Sequence, residues 1–146
     1  MTPKIRKALE AAFRATAYRA RLPQGPVDLR VGEPSSRLDC WLQAAGVENW
    51  AFVTACNPRA TALDESANRQ RHDALRERVS AAGWISVEGL GVPLGNDWRP
   101  ELSLLIAGIA RGDALRLGRE FDQLAIVAGR RGMPAQLEWL DEDRQH

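Results

Sequence analysis

The run Val53-Thr54-Ala55-Cys56-Asn57-Pro58 ends a stretch of apolar residues in side chains that can do chemistry. Ligands in open α/β sheets sit beyond the carboxyl ends of strands. Asn57 offers an amide donor and acceptor there, and Thr54 a hydroxyl. Pro58 pushes the Asn57 backbone toward an extended geometry. The same amide can instead close an Asx-type turn. Asn68 and Arg71 follow in the first turns of the next helix, where an amide, a guanidinium and the positive helix end together suit an anion. Glu101 and Ser103 are two apart at the head of a second apolar strand, so they share a face. A carboxyl there is either paired with an arginine or poised as an acid or base. Arg71 is the expected partner. Gln123, just before a third apolar run, caps a helix end or donates into the same hollow.

Other chemistries fit poorly. His72 and His146 are the only histidines. His146 is the last residue, and His72 reads as a solvated helix residue. There is no phosphate-binding loop, dinucleotide fingerprint or serine elbow, no metal-ligand spacing and no cofactor motif. Cys40 and Cys56 make neither a disulfide framework nor a zinc site. A nucleophilic Cys56 would need a base or cation to lower its pKa, and only His72 or Arg71 is near in sequence.

The elements that must position these groups follow from periodicity. Pro3–Phe13 suits a short helix, with Ile5, Leu9 and Ala12 on one side. Thr16–Leu22 and Val27–Val31 read as strands of a hairpin about the Pro23–Pro26 turn. Ser35 or Ser36 caps a helix carrying Leu38, Trp41, Leu42 and Ala45, and Gly46 stops it. Trp50–Ala55 is a buried strand. A long helix spans about Asp64–Ala82, with Asp64 or Ser66 as cap, a stripe of Ala67, Arg71, Ala74, Leu75, Val79 and Ala82, and Gly83 at its end. Trp84–Val87 is a short strand and Gly89–Asp97 a loop. Leu102–Ile109 and Leu124–Ala128 are further buried strands, separated by a helix over Asp113–Phe121. Gln136–Leu140 is an edge strand. This order predicts one globular domain over residues 1–140, α/β or α+β, with a mixed β-sheet of five to seven strands packed by three to four helices. Residues 141–146 are a polar tail.

Composition bounds the function classes. With 146 residues, 20 Lys+Arg and 19 Asp+Glu, the chain is of one-domain length with a formal charge of +1. That balance argues against a dedicated nucleic-acid binder, Arg130 and Arg131 notwithstanding. No apolar run approaches a membrane span, and the Lys4–Glu10 start is no signal peptide. Two unpaired cysteines fit the cytoplasm.

Several segments in order, A-F-V-T-A-C-N-P (51–58), Asn68, W-R-P-E-L-S (98–103) and F-D-Q-L-A-I-V (121–127), carry a resemblance. So do A-Y-R-A-R-L and V-D-L-R-V-G before them. Together they resemble a bacterial domain-of-unknown-function family, DUF3293, over about residues 13–128. In that pattern an acidic residue precedes the Asn68 position, where this chain has Ala67. Gly stands at the Asp122 position and Asn at that of Leu124. The Cys56 position is not a fixed cysteine there. The resemblance implies the fold and the choice of site residues and carries no activity.

Two functions stay open at this stage. In one, Thr54, Asn57, Asn68, Arg71, Glu101, Ser103 and Gln123 line a hollow for a small polar or anionic ligand, phosphorylated metabolites and nucleotides included. If that site is catalytic, Glu101 is the acid or base and Arg71 the charge stabiliser. In the other, the same side chains lock loops in a non-catalytic interaction module, and Trp98 or Trp139 docks a protein partner.

Overall fold

The computed structural model describes residues 1–95 and 99–140. Trp98 and the polar tail over residues 141–146 lie outside the described residues, so the expectations placed on them do too. The elements are α1 (Pro3–Ala15), β1 (Ala17–Leu22), β2 (Gly25–Leu29), α2 (Ser36–Ala45), β3 (Asn49–Thr54), a 3-10 turn (Pro58–Ala60), α3 (Glu65–Ala82), β4 (Ile85–Val92), β5 (Glu101–Ala107), α4 (Arg111–Glu120), β6 (Ala125–Arg130) and β7 (Gln136–Trp139).

The strands form one seven-stranded sheet in the order β2-β1-β4-β5-β3-β6-β7. Its ladders are antiparallel. Of the two classes the sequence left open, this is α+β. The sheet curls until its edges meet: Val31 bridges Ala135 in parallel, and Gly32 N–H donates to Ala135 O at 2.8 Å. The parallel component is confined to that bridge.

Strand alternation sends residues to two faces. The inner face carries Tyr18, Ala20, Trp50, Phe52, Leu105 and Val127, and α2 packs into it through Leu38 and Leu42. The outer face carries Ala51, Val53, Leu104, Ile106 and Ile126, covered by α3 and α4 through Leu75, Val79 and Leu117. The helix boundaries follow their expected signals. Ser35 Oγ accepts from Leu38 N–H and Asp64 Oδ1 from Ala67 N–H. Gly46 and Gly83 stop α2 and α3 at φ 74° and 81°.

Three expectations fail here for packing reasons. Of the expected loop over Gly89–Asp97, the first four residues are strand instead: β4 runs through Gly89 and Gly91 to Val92, paired with β1 on one side and β5 on the other, residues 93–95 follow outside any strand, and residues 96–97 lie outside the described residues. Gly89 makes room for the Phe52 ring. A Cβ there would lie 2.8 Å from Phe52 Cε2 and 2.8 Å from Arg19 O. His72 is not solvated. It is 1% exposed on the buried stripe of α3 beside Leu75 and Val79, and its Nε2 lies 2.8 Å from Glu88 Oε1. Ala74 and Ala82, assigned to that stripe from the sequence, are exposed.

Candidate functional site

At the end of the curl away from α2, a cavity of about 330 Å³ lies between α1 and the inner face of the sheet. Leu9, Ala12 and Phe13 of α1 roof it, and Phe52, Ala125 and Val127 are among its apolar walls. Thr54, Asn57, Glu101, Ser103 and Gln123 line its polar end. Asn68 and Arg71 do not line it.

No residue of α1 is buried. Contacts that hold this helix among the described residues include Phe13 edge-on to Trp139, Arg6 over the Trp139 ring at 4.3 Å, the Tyr18 hydroxyl, which donates to Phe13 O at 3.0 Å, and Arg30 Nη2, which donates to Arg14 O at 3.2 Å.

Asn57 is the hinge of the polar end. Its Nδ2 donates to Glu101 Oε2 at 2.7 Å. Its Oδ1 accepts from Leu63 N–H and Asn68 Nδ2, each at 2.9 Å, and Asn68 Oδ1 accepts from Asn57 N–H at 2.9 Å. These bonds hold the Asn57 backbone in the left-handed region (φ 49°, ψ 64°), against the extended geometry that Pro58 favours. Arg59 and Ala60 follow at φ 51° and 61°. Consecutive non-glycine residues at positive φ are costly and persist where the surroundings over-determine them.

The surroundings are a clamp between two loops. Arg71 Nε donates to Ala55 O at 2.5 Å, and its Nη2 to Phe121 O at 2.6 Å. Gln123 Nε2 donates to Cys56 O and Phe121 O, and Arg59 N–H donates to Asp122 O. Arg71 therefore does not pair with Glu101, as the sequence led one to expect. It extends from α3, which covers the outer face, and bolts the loop after β3 to the loop before β6. Asp122 has φ 57°, a left-handed conformation at the position where the family pattern has glycine; Asp tolerates it better than most residues.

Glu101 sits where a carboxyl is poorly solvated. Burial raises its pKa, and the Asn57 amide opposes that rise. Among the described residues no side chain bonds its second oxygen, Oε1. Thr54 Oγ1 donates to Leu102 O at 2.8 Å and accepts from Cys56 N–H. Ser103 Oγ donates to Glu101 O at 3.0 Å. Cys56 is 2% exposed, and burial pushes its thiol pKa up, which leaves it a packing residue rather than a nucleophile. Among the described residues no His/Cys/Asp/Glu group could hold a metal ion, and no helix is long and apolar enough to cross a membrane.

Sequence reasoning missed Phe13, Thr16, Tyr18, Phe52 and Gly91 as lining residues. The signal for part of this was present: Thr16 and Tyr18, like Gly89 and Gly91, are two apart and so share a strand face.

No curated protein and no solved structure matches the chain. A family profile does match, over residues 53–126, just over half the chain. That span runs from β3 into β6 and contains Thr54, Asn57, Asn68, Arg71, Glu101, Ser103 and Gln123. The chain belongs to DUF3293, a family of proteins of unknown function.

Proposed function

We propose that the protein binds a small ligand in the cavity beneath α1. The observation that carries this reading is Gly91. It faces the cavity beside Glu101, its register partner in β5, and among the described residues a Cβ built on it meets only Thr16 Cγ2, at 4.0 Å. Two residues earlier, the same face of the same strand is packed solid by Phe52. A dense core gives way at that point to a hollow with convergent polar groups, which is the usual anatomy of a ligand site at the mouth of a closed or nearly closed sheet. Apolar walls would bury the body of the ligand and the Glu101 end would orient it. If the site is catalytic, Glu101 is the residue placed to move a proton.

The anion-binding form of this reading loses its support, because the Arg71 guanidinium is committed to backbone carbonyls outside the cavity. Two free thiols, exposed Cys40 and buried Cys56, support a reducing, cytoplasmic setting in a bacterial cell. The competing reading, a protein-interaction module, has exposed Met1, Ile5 and Leu94 in its favour.

A thermal-shift screen of small metabolites against the wild type and Gly91→Leu tests the proposal. A ligand specific to the cavity raises the melting temperature of the wild type by mass action and not that of the variant. Ligands that stabilise both equally would overturn it.

A further inference from the structure

We propose that the ligand is a small ammonium compound with an apolar body, an inference that rests on the cavity reading above. The argument is a count of protons at the polar end. Four lining hydroxyls have spent theirs on backbone carbonyls, which cannot donate in return. Thr16 donates to Ala12 O, Tyr18 to Phe13 O, Thr54 to Leu102 O, and Ser103 to Glu101 O. Gln123 has given both amide protons to the Cys56 and Phe121 carbonyls. Its orientation is thereby fixed and its Oε1 is left as an acceptor. Asn57 gives one amide proton to Glu101, and its Oδ1 is taken by two donors.

The acceptors that remain for a ligand among the described lining residues are hydroxyl lone pairs, the Gln123 carbonyl oxygen and Glu101 Oε1. The unspent side-chain donors among the described lining residues are the second Asn57 amide proton and the Arg99 guanidinium. Arg99 stands at the exposed rim, bound to Glu65 at 3.1 Å. A wall of acceptors around a carboxyl, with Arg99 the one cation among its described residues and placed at the rim, recognises a group that brings several N–H donors and a positive charge. An ammonium does so, and a carboxylate or phosphate does the opposite. Phe13, Tyr18 and Phe52 supply aromatic surface for the apolar body, and ring faces also favour a cation.

The test uses 2-phenylethylamine, 2-phenylethanol and 3-phenylpropanoate, which share a body and differ in the head. Affinities are measured by calorimetry at neutral pH on the wild type, Glu101→Gln and Gly91→Leu. The amine is expected to bind at least tenfold tighter than the alcohol, and the carboxylate weakest. Glu101→Gln is expected to erase the preference for the amine while keeping the alcohol. Gly91→Leu is expected to lose all binding. Equal or better binding of the alcohol or carboxylate overturns the ammonium assignment. So does an amine preference that survives Glu101→Gln, and so does no binding by any of the three. If the alcohol binds as well as the amine and both are lost in Gly91→Leu, the cavity reading stands and only the ligand class falls.

Discussion

Gly89 and Gly91 occupy the same face of β4, two residues apart, yet leucine should have opposite effects at the two. At Gly89 the added Cβ meets a backbone carbonyl and an aromatic ring at 2.8 Å each. The carbonyl belongs to β1 and is held in the β1–β4 ladder, so it cannot yield. Overpacking of this kind costs about 1–3 kcal/mol, and an immovable neighbour places Gly89→Leu at the upper end or at misfolding. At Gly91 the added Cβ meets, among the described residues, one methyl group at 4.0 Å and faces a cavity of about 330 Å³. Four buried carbons at roughly 0.8 kcal/mol each bound the gain at about 3 kcal/mol. Relief of the entropic cost of a strand glycine adds about 0.5–1 kcal/mol, and loss of side-chain freedom removes about as much. A net stabilisation of about 1–2 kcal/mol is expected, a rise in melting temperature of about 3–7 °C at this length. Thermal and urea unfolding of the two variants beside the wild type read this directly. Changes of the same sign, or a Gly91→Leu variant that melts below the wild type, would refute the claim that the strand passes from a packed core into a hollow.

Three further outcomes follow from the site geometry. The Glu101 pKa is raised in the folded state, so its ionisation disfavours folding and the cost grows as pH rises above the ordinary carboxylate range. Glu101→Gln should therefore be more stable than the wild type at pH 7–8, with the gap closing toward pH 4; unfolding midpoints with no pH-dependent gap would contradict this. Arg71→Met removes two short charged hydrogen bonds and strands the Ala55 carbonyl, while Phe121 O keeps the Gln123 amide. It should cost about 2–4 kcal/mol in urea unfolding, with Arg71→Lys intermediate because an ammonium lacks the fork that spans both; a cost under about 0.5 kcal/mol would sink the clamp. In the folded protein a disulfide-exchange reagent should titrate exposed Cys40 and reach buried Cys56 only on unfolding, and prompt reaction of both would place the second thiol wrongly.

The apolar runs at Trp50–Ala55, Leu102–Ile109 and Leu124–Ala128 were legible as strands because burial on both faces leaves a continuous pattern. Caps at Ser35 and Asp64 and stops at Gly46 and Gly83 were legible because their physics is local. What escaped depends on contacts distant in sequence. Gly89 reads as a loop until Phe52, 37 positions earlier in the chain, is laid on it. Arg71 and Glu101 looked like an ion pair. The helix of one covers the outer face, however, and the other faces the inner cavity, and periodicity does not say which face of a sheet a helix will cover. Asn57 looked extended because the local rule for a residue before proline was the only one available; the bonds from Asn68 and Leu63 override it. Pro3–Phe13 was recognisable as a helix, but nothing in it says that it roofs a cavity.

A crystal structure of the protein grown with 2-phenylethylamine tests the central claim most directly. The account predicts the phenyl ring between Phe13 and Phe52 with its nitrogen within hydrogen-bond distance of Glu101 Oε1. An amine bound elsewhere, or a space beneath α1 closed by the side chains of Leu9 and Phe13, would contradict it.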